Sequence, residues 1–159
     1  MTIDVRLNAI VDPERANGRP LADLTRLVVA GGATLIQLRD KQGATRQMIE
    51  QARAIMAVLA GTGVPLVVND RVDVALAAGA DGVHVGQDDM HVEDARRLLG
   101  PKAIIGLSIK TVAQANAAPL DRLDYVGVGC AGTAFELLLV LGSAPVAEQG
   151  VEVVGEGLV

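Results

Sequence analysis

Three residues at alternate positions, Gln37, Arg39 and Lys41, combine one amide with two cations. In an extended segment they leave the same side of the pleat, while Ile36 and Leu38 leave the other side and suit helix packing. An amide and two cations at the end of a strand suit a phosphate, because Arg offers a planar fork and Lys a point charge. The competing reading is a surface ion-pair patch with Asp40. Asn69-Asp70 closes the next β-type run, and Gly86-Gln87-Asp88-Asp89 follows the one after it. Carboxylates from neighbouring strand ends can converge on one hard cation. Mg²⁺ is typically held by one or two carboxylates together with phosphate oxygens and water, so a diphosphate is the natural bridging ligand. The competing reading makes these residues helix caps, Asn69 and Asp70 near Arg71 and Asp88 or Asp89 before 91–99. Ser108 ends a further run, where its hydroxyl can meet a phosphate oxygen or a substrate amine. The alternative there is a helix N-cap at Ser108 or Thr111. His84 sits inside an apolar run, as a buried, hydrogen-bonded histidine does, and His91 reads as a helix-start residue. Cys130 stands where strand-end residues sit, but nothing beside it in sequence would activate its thiol.

These residues need strands that end at a common face. Six short β-type runs occur, at 5–11, 34–39, 65–70, 82–86, 103–108 and 124–129. Helix-type stretches lie between them at 20–30, 44–60, 71–78, 91–99 and 111–118. The clearest is 44–60, with Met48, Ile49, Ala52, Ile55, Met56 and Leu59 at spacings of three and four. Serial alternation of strand and helix predicts βαβ units and a parallel sheet. An open doubly wound sheet would carry a G-x-G-x-x-G turn after an early strand, and none is present. A TIM (β/α)8-type barrel instead places polar residues after several strands on one face, as here.

Composition narrows the function classes. The chain has 159 residues, is 50% hydrophobic and has a mean hydropathy of +0.37, so it is not intrinsically disordered. Its only aromatic residues are Tyr125 and Phe135, and its net charge is -5. It therefore lacks both the stacking platform and the basic footprint of a nucleic-acid binder. A single cysteine precludes an internal disulfide and fits a reducing compartment. The N-terminal stretch is interrupted by Asp4, Arg6 and Asp12, unlike a signal peptide, and no apolar run is long enough for a membrane span. The expectation is a soluble, cytoplasmic protein that acts on small molecules, with no nucleic-acid or membrane partner.

The segments 37–41, Val68-Asn69-Asp70-Arg71, 78–89, Ile105-Gly106-Leu107-Ser108 and 124–129 closely resemble thiamine-phosphate synthase (thiamine-phosphate pyrophosphorylase), in that family's order and spacing. The resemblance implies a TIM-barrel transferase of thiamine biosynthesis. Such an enzyme joins 4-amino-2-methyl-5-(diphosphooxymethyl)pyrimidine to thiazole phosphate, giving thiamine phosphate and pyrophosphate. By the same resemblance, Gln37, Leu38, Arg39, Asp40, Lys41, Asn69 and Ser108 form the pyrimidine diphosphate site. Asp70 and Asp89 become ligands of a Mg²⁺ cofactor. The implied chemistry is dissociative and needs no protein nucleophile, in keeping with a sequence in which no Ser-His or Cys-His arrangement stands out. Alternatives are a binding-only remnant of this family and a related thiazole tautomerase. Retention of Asp70 and Asp89 argues against the tautomerase, because tautomerisation expels no diphosphate.

After Gly129 the pattern departs from the family. Residues 130–136 lack the family's Thr-rich loop ending in Lys, so no residue is carried over to the thiazole phosphate site. Fifteen of the nineteen acidic residues and all fourteen basic residues precede Cys130, which leaves -1 before it and -4 after it. The expected organisation is a partial barrel over 1–129, of about six βα units, and a divergent acidic-apolar tail over 130–159, the product of truncation, frameshift or rearrangement. Six strands cannot close an eight-stranded barrel, which would leave strands one and six as open edges. The expected consequence is marginal stability or self-association, with weak or absent synthase activity. A cooperative melt of a dilute monomer together with normal turnover of both substrates would overturn that expectation.

Overall fold

The computed structural model describes residues 3–129 and the backbone of 136–140. Strand and helix alternate as β1 (Asn8–Val11), α1 (Leu21–Ala30), β2 (Leu35–Leu38), α2 (Thr45–Leu59), β3 (Leu66–Asn69), α3 (Val72–Ala78), β4 (Gly82–Val85), α4 (Val92–Leu99), β5 (Ile104–Ile109), α5 (Val112–Ala117) and β6 (Tyr125–Gly129). A 3-10 turn over Leu120–Arg122 precedes β6. The six strands pair in chain order and all in parallel. Each predicted strand and helix is found, with bounds differing by at most three residues.

Two packing layers follow from the alternation of side chains along each strand. Ile36, Leu38, Leu66, Val68, Val83, Val85, Ile105 and Leu107 form the layer between sheet and helices. Helix α2 presents Met48, Ala52, Ile55 and Leu59 to it, one face at helical spacing. The other face of the sheet gathers Leu35, Val67 and Tyr125, with Ile3, Val5 and Ile104 packed against them. Leu35 on β2 and Tyr125 on β6 share one cluster although three strands lie between them in the sheet order. In a flat sheet with strands about 4.8 Å apart they would be far out of contact, so the sheet is curled into part of a barrel.

The N-terminal ends of the strands are held by a recurring side-chain bond. The residue just before β2, β4 and β6 accepts a backbone N–H from the preceding strand or its lead-in. Thr34 Oγ1 accepts from Leu7 N at 3.0 Å, Asp81 Oδ2 from Leu66 N at 2.7 Å, and Asp124 Oδ2 from Ile105 N at 2.8 Å. Asp124 Oδ2 also pairs with the guanidinium of Arg96, at 2.8 Å, which donates to the Arg122 and Ala103 carbonyls as well. None of these residues approaches the opposite, C-terminal end.

One expectation is corrected. Strand six is not an open edge: β7 (Glu136–Val140) pairs with it antiparallel, from Tyr125↔Val140 to Gly129↔Glu136. The run 137–140 lies in this strand, consistent with its succession of Leu and Val. Residues 130–135 and 141–159, with most of the predicted tail and Cys130, lie outside the described residues. Among the described residues no helix is long and apolar enough to cross a membrane.

The bonds at the strand starts predict a separable effect on stability. Asp81→Ala or Asp124→Ala should each lower the unfolding free energy by roughly 1–3 kcal/mol, the cost of leaving a buried backbone donor unpaired. The Asp124 variant should lose more, since Arg96 is also released. Guanidinium denaturation reads this out, and a change below about 0.5 kcal/mol for both would show that these bonds do not hold the sheet.

Candidate functional site at the strand C-termini

The parallel sheet brings the C-terminal ends of β1 to β6 to one face, and the chemically capable residues collect there. Gln37 is 2% exposed on β2, and its Nε2 has no hydrogen-bond partner in the structure. Arg39 follows two residues on, pointing the same way. Its Nη1 meets Asp12 Oδ2 at 2.5 Å, and Asp12, just past β1, is itself 2% exposed. Lys41 Nζ pairs with the carboxylate of Asp70. The competing ion-pair patch with Asp40 does not form: Asp40 Oδ1 accepts from Gln42 N and Gly43 N, shaping the β2–α2 loop instead. Leu38, within the predicted site segment, is buried between sheet and helices and brings only its backbone to this face.

Asp70 and Asp89 are not helix caps. The caps of α3 and α4 are Arg71 and His91, and neither helix start receives a side-chain cap bond. Asp70 adopts a left-handed backbone (φ 61), tolerated by Asp better than by most residues, and its N–H donates to the His84 carbonyl at 2.8 Å. That turn carries its carboxylate to Lys41 and toward Asp89. Asp89 Oδ2 accepts from Gly86 N at 2.7 Å, and a Cβ at residue 86 would lie 2.9 Å from the same oxygen, so a side chain there would make the Asp89 carboxylate shift. Partial desolvation at the carboxyl of this otherwise exposed residue, and then the hydrogen bonding and repulsion of Asp70, hold Asp89 above its ordinary range, against the pull of Gly86 N–H and Lys41. Asp88 is exposed, and Asn69 is half-buried at the end of β3, in register with His84.

Ser108 is not a cap either, since Thr111 Oγ1 takes that role for α5 by accepting from Gln114 N. Ser108 lies on β5, where its Oγ is 2.8 Å from His84 Nε2. His84 Nδ1 is in turn 2.9 Å from the Tyr125 hydroxyl. His84 is buried and hydrogen-bonded, as its apolar strand implied, but the Ser-His adjacency was not anticipated. Strands β4 and β5 must first be paired before residues 84 and 108 are seen to meet. Three further residues were missed. In the sequence Asp12 stands out only as a charge interrupting an apolar stretch, Tyr125 only as an aromatic, and Gln87, whose Nε2 donates to the Ser108 carbonyl at 2.7 Å, only as a loop residue. Position just after or inside a strand was the available signal for the first two.

The crowded carboxylates predict a stability effect with a defined sign. A carboxyl whose pKa is higher folded than unfolded favours the fold while protonated, and that contribution is lost as pH rises through the folded value. Ionisation of Asp89 therefore works against the fold, so Asp89→Asn should melt at the same temperature or higher, with the difference growing as pH rises. A melting temperature several degrees lower would show that the carboxylate holds the loop rather than straining it.

The chain is similar to known proteins. Residues 7–134 match the family model described as thiamine monophosphate synthase. The chain is 56% identical over 134 residues to a thiamine-phosphate synthase of Agrobacterium fabrum, covering 84% of this chain and 60% of that protein. It is 51% identical over 126 residues to one from Xanthobacter autotrophicus, covering 79% and 60%. Among solved structures, a thiamine phosphate pyrophosphorylase from Pyrococcus furiosus superposes with a TM-score of 0.68 at 36% identity, over 77% of this chain and 59% of that one. The chain thus spans 60% of the length of each of these two curated relatives. With the family model matched over most of its length and its strand-end residues gathered on one face, the chain belongs to the thiamine monophosphate synthase family.

Proposed function

We propose that this chain binds the pyrimidine diphosphate substrate of thiamine-phosphate synthesis together with Mg²⁺, at the C-terminal ends of β2 to β5. The observation that carries the reading is the grouping of Arg39 and Lys41 with two facing carboxylates, Asp70 and Asp89, beside the unpaired, buried amide of Gln37. Two carboxylates held against each other suit a hard divalent cation. Among the described residues no third His, Cys, Asp or Glu joins them. A two-carboxylate donor set leaves positions for phosphate oxygens and water, the usual composition of a Mg²⁺–diphosphate site. Asp70 and Asp89 would hold the ion, which supplies charge neutralisation to a departing pyrophosphate.

The remaining residues bind and orient. Lys41, released from Asp70 when the cation takes up that carboxylate, is then available to the diphosphate. Arg39, anchored at one end by Asp12, presents its other N–H groups in a fixed fork. Gln37 Nε2 lacks a partner at a cost of about 1–3 kcal/mol, which a ligand acceptor would recover. Asn69 and Ser108 border the same space. The whole synthase reaction, with dissociative loss of pyrophosphate and attack by thiazole phosphate, is the reading favoured over a binding-only role by the identity to named synthases. It is a transferase reaction that positioning and charge stabilisation can drive without a protein nucleophile.

Titration calorimetry with the pyrimidine diphosphate tests the site. Binding should require Mg²⁺, and Asp70→Asn, which retains a residue tolerant of the left-handed turn, should weaken it at least tenfold. Equal affinity with and without Mg²⁺ would overturn the assignment of Asp70 and Asp89. Coupled turnover with both substrates separates a synthase from a binding-only chain.

A further inference from the structure

Arg71 follows Asp70 at the C-terminal end of β3, where a guanidinium could serve as one more phosphate ligand beside Arg39 and Lys41. Its side chain is turned to other partners. Nε donates to Asp73 Oδ1 at 2.8 Å, and Nη2 donates to Asp73 Oδ2 at 2.6 Å and to Thr45 Oγ1 at 2.8 Å. Nη1 meets Met48 Sδ at 3.8 Å. Four of the five N–H groups of the guanidinium are thereby engaged. Thr45 is the first residue of α2 and Asp73 lies in the first turn of α3, so one side chain ties the starts of two helices together. The loops that lead into those helices carry Lys41 and Asp70, which are themselves paired.

The backbone beneath this side chain is tightly turned. Arg71 N–H donates to the Asn69 carbonyl at 2.8 Å across Asp70, whose φ is 61. That is a γ-turn of positive φ, the rare and strained form. Asp70 N–H donates to the His84 carbonyl at 2.8 Å, which ties the turn to β4. The Arg71 carbonyl accepts from Ala75 N at 3.0 Å and so opens α3. A strained turn persists only where its surroundings hold it, and the side chain that leaves this one spans α2 and α3.

We propose that Arg71 is a positioning residue: by joining Thr45 to Asp73 it holds Asp70 in its turn and sets the β2–α2 loop against the β3–α3 loop, so that the Asp70 carboxylate meets Lys41 and Asp89. It is not a phosphate ligand. A planar fork can reach two helices at once, which a lysine ammonium does not do. The consequence for ligand binding rests on the function proposed above, whereas the hold on the turn does not.

Hydrogen exchange of the full-length chain without ligand, followed by NMR, reads the turn directly. In Arg71→Ala the Asp70 amide should exchange at least tenfold faster, while the amides within β2 to β5 keep their protection. An unchanged Asp70 amide would overturn the proposal. Calorimetry with the pyrimidine diphosphate and Mg²⁺ reads the consequence. Arg71→Ala should weaken binding roughly tenfold, as loss of an outer partner of a metal ligand does. In an Asp70→Asn background the same substitution should cost less than about threefold, because the carboxylate it positions is gone, and a larger effect there would overturn the proposal. Asp73→Ala separates positioning from direct contact by sign. It removes an anion and frees the guanidinium, so a phosphate-binding Arg71 would take the diphosphate more tightly. Positioning requires binding to weaken by at least about threefold, and a smaller loss or a gain would overturn it. Should Arg71→Ala fail to fold, Asp73→Ala and Thr45→Val, each of which breaks part of the tie, decide by the same two readouts. Failure of the unsubstituted chain to bind the diphosphate would remove the function proposed above and leave the Asp70 amide to decide the role of Arg71.

Discussion

Parallel pairing of six consecutive strands is the constraint from which the rest follows. A parallel ladder sends every strand C-terminus to one end and every N-terminus to the other, and each return must cross by a helix. Both ends carry polar residues, but they have different partners. At the N-terminal end Thr34, Asp81 and Asp124 bond backbone N–H groups of the neighbouring strand. At the C-terminal end Asp12, Arg39, Lys41, Asp70 and Asp89 meet one another. Side chains that bond the sheet serve stability, while side chains that bond each other across loops can exchange those partners for a ligand.

Electrostatics at the C-terminal end is arranged by pairs. Arg39 has Asp12 and Lys41 has Asp70, so neither cation of this cluster lies buried without a counter-charge. The two pairs differ in burial. Asp12 is 2% exposed and accepts a loop N–H from Glu14 as well, which makes it a fixed anchor for the guanidinium. Lys41 is 45% exposed and its partner Asp70 has a second carboxylate as neighbour. An exposed ammonium–carboxylate pair is worth little in water, so the Lys41–Asp70 contact is the one that a cation and a diphosphate together can rearrange at small cost.

The sequence showed the elements well because their signals are local. Helix α2 has its apolar face at spacings of three and four, and the β-branched runs end in Gly, Asn and Asp. The strand-end residues were also legible, as alternation on 37–41 and as Asp in the loops after β3 and β4. What was not legible depended on register. Ser108 and His84 are 24 residues apart, and only the pairing His84↔Gly106 brings their side chains to one place. Asp81 and Asp89 fall in the same family-like segment, yet one holds the start of β3 and the other lies at the C-terminal face beside Asp70. Both are acidic loop residues at the ends of one strand, so residue type alone could not separate a sheet-fixing role from a site role.

The last strand shows how local preference and sheet geometry interact. The run over 136–140, apolar after Glu136 and strand-forming, pairs with the outer edge of β6. Its direction is antiparallel, which places Glu136 opposite Gly129, at the C-terminal end of β6. In a closed (β/α)8 barrel that same edge of β6 pairs with a parallel strand arriving by a helical crossover. One strand edge offers a single set of N–H and C=O groups, so the two arrangements exclude each other. While β7 holds this edge, β6 is sealed against association, but no parallel strand can add there. The groups set on β2 to β5 do not depend on that edge, whereas any group that a parallel seventh strand would bring to the face requires β7 to leave it.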